Sequence, residues 1–372
     1  MANDPNSPDQ LATRPPDAEM PDELHPRHLA VRVAQIAGVI ALVAIVITTI
    51  PGLDEVRDRF QNAVPLWVVF IALAEVGSCV GYMLVFRSTF CPQMSWGLSY
   101  DISMSEQAAN SLLPSGGAGG LALGVWALHQ AGMSSAHIAR RTVAFFLLTS
   151  APNFVGVVLG GVGVFVGVLG GHTSPVFSIV PAVLAALVIV LAGLSPRLLR
   201  RFGEPLAGPK RATWSAGVRH ALRDGLVATA DGVDLAKELL RSRSFGVIVG
   251  SFAYLAFDIA ALGFGFAALG HVPPLGSLMM GYLVGQLGNL IPLPGGIGGT
   301  EGGLVGMFAV YHVNVPLATA AVLIYRLFQL FVPALLGGPA FVLLRRRLAH
   351  GHQRALVCAP LAHEASELPA RG

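Results

Sequence analysis

Residues 289–301 read NLIPLPGGIGGTE, and residues 110–120 read NSLLPSGGAGG. Each places a glycine cluster in the middle of an apolar stretch, 274–312 in one case and 94–130 in the other. The two are copies in register. Asn110 and Asn289 lie 179 residues apart, and so do Gly116 and Gly295, Gly117 and Gly296, Gly119 and Gly298, and Gly120 and Gly299. The arms on either side of each cluster are too short or too polar for a full membrane crossing. Irregular backbone at membrane depth persists only where protein or a water-filled cavity covers it. Each stretch is therefore expected to be a re-entrant helix–loop–helix hairpin that enters and leaves on one side.

The surrounding chain is apolar enough to hold such hairpins in a bilayer. It is 53% hydrophobic and 12% charged, against about a quarter charged residues in ordinary soluble domains. Between Val143 and Pro196 there is no Asp, Glu, Lys or Arg. About 20 apolar residues at a 1.5 Å rise cross the hydrocarbon core. On that measure six full spans are predicted, at 29–50, 64–86, 142–170, 176–195, 245–269 and 317–344. Three of them separate the two hairpins, and an odd number of crossings turns the second copy upside down relative to the first. The expected fold class is thus an all-α polytopic membrane protein, an inverted repeat of about six spans plus two glycine-broken hairpins. The first repeat covers about 64–170 and the second about 245–344, within a membrane domain at 29–347. Residues 1–28, with six acids and two arginines, and residues 348–372 read as cytoplasmic tails, the first of disordered composition. The run 29–50 lacks the basic start and small-residue cleavage site of a signal peptide.

Charge asymmetry gives an orientation. With the N-terminus in the cytoplasm, 21 of 24 Lys/Arg fall on the inner side, ten of them in 197–243. Arg57 and Arg59 fall outside, and Arg326 lies within a span. This is the positive-inside pattern, with both termini cytoplasmic in a plasma membrane. In the connection 196–244, Trp214, Val218, Leu222, Leu226, Val233 and Leu240 recur at helical spacing opposite Arg219, Arg223, Lys237 and Arg241. Two readings fit: an amphipathic helix on the anionic leaflet, or a hairpin packed on the ends of the spans.

The segment 288–338 resembles the second signature of the lysylphosphatidylglycerol synthase transmembrane, or flippase-like, family. Asn289, Pro292, Pro294, the run GGIGGTE to Glu301, and the later Tyr325-Arg326 carry the resemblance. Asn110 to Pro114 with the following glycines is similar to the family's first signature, and the likeness extends over roughly 30–345. It implies a standalone flipping domain without the aminoacyl-transfer domain that some members append. One departure is visible. Members often carry an acidic and a basic residue just after the first glycine cluster, whereas residues 121–125 here read LALGV.

Physical chemistry gives the same residues roles. After each glycine cluster a half-helix is expected to begin, near Leu121 and near Thr300, with Thr300 as a good N-cap and Glu301 in the first turn. Helix N-termini at membrane depth offer unpaired N–H donors and partial positive charge to an anion. Inverted-repeat transporters place such ends around a midplane site. The alternative is that the glycines only let helices approach closely. The candidate substrate-binding set is Asn110, Gly116, Gly117, Gly119, Gly120, Asn289, Gly295, Gly296, Gly298, Gly299, Thr300, Glu301, Tyr325 and Arg326. A carboxylate in the bilayer needs a partner, and Arg326 is the one basic residue in the interior of a predicted span, Arg32 standing at the start of the first, so Glu301 and Arg326 are expected to pair, as a headgroup gate or as a structural clamp. Glu75, Asp101, Glu106 and Asp258 are candidate cavity-lining residues. Glu75 or Asp258 could carry a coupling proton, a structural role being the alternative.

No P-loop, HExxH, GxSxG or metal–sugar-nucleotide DxD is present, so no catalytic residue, metal or cofactor is assigned. The three cysteines lack zinc-site spacing. The expected function is movement of a lipid with an anionic or zwitterionic headgroup between leaflets, without enzymatic activity. A membrane transferase acting on a lipid carrier and a small-solute or ion transporter are the rival classes. The expected partners are membrane lipids, with a homo-oligomer or a lipid-synthesising enzyme as further possibilities and no nucleic acid.

Overall fold

A computed structural model describes residues 64–112, 118–170, 174–203, 214–290 and 298–349. The described residues are helical and connecting segments, with no strand among them. Five of the helices are long and apolar enough to cross a membrane. The expected span 29–50, the tail 1–28 and residues 350–372 of the second tail lie outside the described residues, while Leu348 and Ala349 belong to the last described helix.

The elements follow one order twice. First come α1 (Pro65–Phe90), α2 (Trp96–Leu112), α3 (Ala118–Gln130) and α4 (Ser135–Phe165). Then come α5 (Pro175–Gly203) and α6 (Trp214–Arg241). The pattern of α1 to α4 returns as α7 (Phe245–Ala268), α8 (Leu275–Gly285) with a 3-10 turn (Gln286–Leu290), α9 (Gly299–Val310) and α10 (Val315–Ala349).

Both glycine-centred stretches are antiparallel hairpins. Gly120 abuts Asn110 and the Glu106 carbonyl, and Gly124 abuts the Glu106 carboxylate, so α3 folds back along α2. Gly303 meets Gly285 and Gly288, and Gly281 meets the Phe308 ring, which runs α9 back along α8. At 1.5 Å per residue, the 13 residues of α3 and the 12 of α9 extend about 20 Å, well short of a hydrocarbon core of about 30 Å.

The helices in matching positions, α1 and α7, share the most extensive contact among the described elements. They run antiparallel: Gly77 faces Phe257, Gly81 faces Gly250 and Tyr254, and Gly246 faces Ser88. A Cβ on Gly250 would stand 2.8 Å from the Gly81 carbonyl oxygen and 2.9 Å from the Val85 nitrogen. Only paired glycines permit that backbone approach, the device that draws helices together where lipid supplies no hydrophobic drive. The hairpins cross over between copies. α2 packs along α10, and α8 packs along α4. Two aromatic and aliphatic clusters fill the space, one around Phe86, Phe90 and Phe145, the other around Phe266, Phe308 and Tyr325. α5 turns Val183, Leu184 and Leu187 outward, a surface suited to lipid.

Boundaries of α4 and α5, and the packing of α6, differ from the sequence reading. α4 begins at Ser135 rather than 142, because Arg140 and Arg141 continue the helix and Arg141 donates to the carbonyls of Thr89 and Phe90 at the end of α1. α5 runs on to Gly203, so the segment before α6 is shorter than the 196–244 connection supposed. α6 is a helix as its periodicity demands, but it packs on α4 and α5. Ala230, Val233, Leu235 and Ala236 are buried, Gly232 meets Val143, and the Lys237 ammonium donates to the Gly193 carbonyl at 2.6 Å. Leu240, assigned to the apolar stripe, is exposed. Small residues, which an apolar count weights lightly, make the contact face.

Candidate functional site

The start of α9 is set by Gly298, whose φ of 98° lies in the left-handed region that favours glycine. Gly298, not Thr300, is the N-cap, and the half-helix begins at Gly299. Thr300 sits inside the first turn and is buried. The side chain of Glu301, three residues past the cap, reaches back to the Gly298 N–H at 2.7 Å. This is the carboxylate half of a capping box, so part of the donor potential of this N-terminus is already satisfied.

The other oxygen of Glu301 accepts from Arg326 Nε at 2.7 Å. Both side chains are largely enclosed, 18% and 16% exposed, so neither charge is lost to bulk water. The Glu301 carboxyl is bound by Arg326 and by backbone N–H groups at once.

From Arg326 the polar contacts continue inward along α10. Its Nη1 donates to Gln329 Oε1. Gln329 Nε2 points at Asp258, 3.3 Å from one oxygen and 3.5 Å from the other. Asp258 also accepts from the Tyr325 hydroxyl at 3.0 Å and from the Tyr282 hydroxyl. Glu75, across the α1–α7 crossing, lies within hydrogen-bonding reach of Asp258. Both acids are buried, and Glu75 Oε1 has no hydrogen-bond partner.

A second cluster belongs to the first hairpin. The Asn110 amide oxygen accepts from the Gly120 N–H at 3.0 Å, tying the end of α2 to the first turn of α3. One turn before Asn110, Glu106 is buried against Gly124 and within reach of the Tyr82 hydroxyl. The ring of Tyr82 contacts that of Tyr254, 5.6 Å between centroids, and Tyr254 stands one turn before Asp258 on α7. A column of polar side chains thus leads from Glu106 and Tyr82 at one hairpin to the Glu75–Asp258 pair, Arg326 and Glu301 at the other, its two halves meeting at the ring contact of Tyr82 with Tyr254. The acid against α3 comes from α2, and Gly124 leaves room for it.

Of the sequence-predicted residues, Glu75, Asp258, Gly298, Gly299, Glu301, Tyr325 and Arg326 come together, and Glu106, Asn110, Gly119 and Gly120 form the opposite end. Asp101 does not join them. It pairs with Arg347 at 3.0 Å, near the end of α10. Gly116, Gly117, Gly295, Gly296 and the Asn289 side chain lie outside the described residues. Tyr82, Tyr254, Tyr282 and Gln329 were not anticipated. Gln329, one turn after Arg326, carried a signal in its spacing, whereas tyrosines within apolar spans carried none.

Away from the column, a cavity of about 550 Å³ opens between the α7–α8 and α9–α10 connections, lined by His271, Ser277, Tyr311, His312 and Asn314 among others.

A family model described as the lysylphosphatidylglycerol synthase TM region matches residues 32–337. A protein of Methanothermobacter thermautotrophicus described as a UPF0104 membrane protein is 38% identical over 94 residues, 24% of this chain and 27% of that protein. The alignment thus spans about a quarter of the relative's length.

Proposed function

Because the chain belongs to the lysylphosphatidylglycerol synthase transmembrane family, matched along most of its length, we propose that it moves a lipid with a charged headgroup between the leaflets of the plasma membrane. The carrying observation is the polar column that joins the two hairpins through an otherwise apolar bundle. A headgroup takes its place along this column, while the acyl chains stay in lipid at the protein surface. The substrate headgroup is anionic or zwitterionic, because the loop end of the column presents a guanidinium and a helix N-terminus beside a carboxylate. No covalent chemistry on the lipid is involved.

Transport is tested with the purified chain in liposomes carrying acyl-labelled fluorescent phosphatidylglycerol or phosphatidylcholine. A membrane-impermeant quencher should bleach the inner-leaflet probe of one of these lipids faster than in protein-free vesicles. Equal rates for both lipids with and without protein would discard the reading.

The reading also includes an inverted topology with both termini in the cytoplasm. In a background lacking the three native cysteines, cysteines placed at Gly171 and Val272 should react with impermeant thiol reagents from outside. One placed at Lys210 should react only from inside. Labelling of position 210 from outside removes the inverted arrangement.

A further inference from the structure

We propose that Glu75 and Asp258 form one proton-exchange site, which takes up a proton when an anionic headgroup opens the Glu301–Arg326 pair. This rests on the transport reading above and supplies its energy coupling. Two carboxyl groups within hydrogen-bonding reach, away from water, hold a proton between them, since two unscreened negative charges repel strongly at that separation. The donors around the pair are unevenly shared. Asp258 accepts from two tyrosine hydroxyls and faces the Gln329 amide, whereas Glu75 Oε1 has no partner. Hydrogen bonds from fixed donors favour the ionised form, so Asp258 is the carboxylate and Glu75 carries the proton.

The groups facing the pair come from every helix packed around it. They are Cys79 on α1, Tyr254 on α7, Tyr282 on α8, and Tyr325 and Arg326 on α10. Arg326 is the single cation in this set, and its field acts on both acids. It is shared with Glu301, and through Gln329 its guanidinium is wired to Asp258. A phosphate that binds Arg326 in place of Glu301 spends the positive charge that the acids had felt. The remaining negative charge favours a second proton on the Glu75–Asp258 pair. By linkage the effect is reciprocal: protonating the pair tightens binding of the phosphate, and headgroup and proton move together.

The experiment is calorimetric titration of the full chain in detergent, in two buffers of different ionisation enthalpy, so that proton uptake separates from binding. The probes are dihexanoyl phosphatidylglycerol and sn-glycerol 3-phosphate. Uptake of about one proton per bound phosphatidylglycerol is expected, accompanied by a rise in the infrared C=O stretch of protonated carboxyl groups. In Asp258→Asn, checked for monodisperse elution, uptake per bound probe should fall to near zero, whereas Glu75→Gln, the neutral mimic of the protonated Glu75, should keep it. Uptake with both probes supports the coupling and names free phosphates as ligands alongside lipid. Binding without uptake in the unaltered chain overturns the coupling and leaves transport standing. Undiminished uptake in Asp258→Asn, or its loss in Glu75→Gln, overturns it as well. Failure of both probes to bind removes the headgroup site and the coupling together.

Discussion

Glu301→Gln and Arg326→Gln are each expected to reduce both folded yield and transport severely, and the double substitution is expected to restore only the yield. Removing one partner leaves the other charge enclosed without compensation, a loss of about 3–5 kcal/mol for a fully buried pair. The two side chains retain some exposure, 16% and 18%, so the lower end applies. The double variant removes both charges, and its amides can bridge the same gap. A pure structural clamp would then recover transport along with yield. A headgroup contact would not, because the anion has lost its guanidinium. The readouts are yield by size-exclusion chromatography and the vesicle bleaching rate. Because the contact is direct, at 2.7 Å, the single losses should not add; strictly additive losses would show that the pair carries no interaction energy.

Gly250→Leu should prevent assembly of the bundle. The substituted Cβ would lie 2.8 Å from the Gly81 carbonyl oxygen and from Val85 Cγ2, and 2.9 Å from the Val85 nitrogen. Two of these atoms are backbone and cannot swing away, so α1 and α7 must separate. The cost should reach or exceed the usual overpacking range of about 1–3 kcal/mol. The separation would also pull Glu75 away from Asp258, because both sit at the same crossing. Gly193→Ala provides the contrast, since nothing lies within 4 Å of a Cβ there, and a helical alanine gains about 0.8–1 kcal/mol over glycine. Thermal midpoints in detergent should move down or become unmeasurable for the first and stay level or rise for the second. A Gly250→Leu protein eluting and melting like the unaltered chain would refute the close-approach account.

Both hairpins were legible because membrane-embedded backbone tolerates so few solutions: a glycine cluster in a short apolar stretch, repeated at constant spacing, leaves little but a turn. The partnership of Glu301 with Arg326 was legible for a similar reason, as isolated charges in an apolar setting must find each other. The cap was misread. Thr300 has the favoured side chain, but Gly298 has the backbone freedom, and Glu301 at the third position past it was the spacing that marks the true start. The rest of the column depends on which helices cross, and a single sequence does not carry that. Asp101 illustrates it: counted among cavity residues, it pairs with Arg347, which was counted with the positive-inside charges near the tail. Tyr82, Tyr254 and Tyr282 look like ordinary apolar filling until α1, α7 and α8 are brought together.

The exchange of hairpins between the two copies governs how the chain can be made. α2 rests along α10, where Met104 and Ala108 meet Gly337 and Asp101 meets Arg347. When the ribosome has delivered the first copy, that hairpin still lacks the surface it packs against, more than 200 residues ahead. Of its two buried acids, Glu106 already has Gly124 and Tyr82 beside it, whereas Asp101 has no cation until Arg347 arrives. The last of the described helices completes the packing of the first hairpin, so that the two copies are expected to assemble together rather than as two independent units. A chain stopped before residue 315 is accordingly expected to leave α2 without its packing surface and Asp101 without its cation.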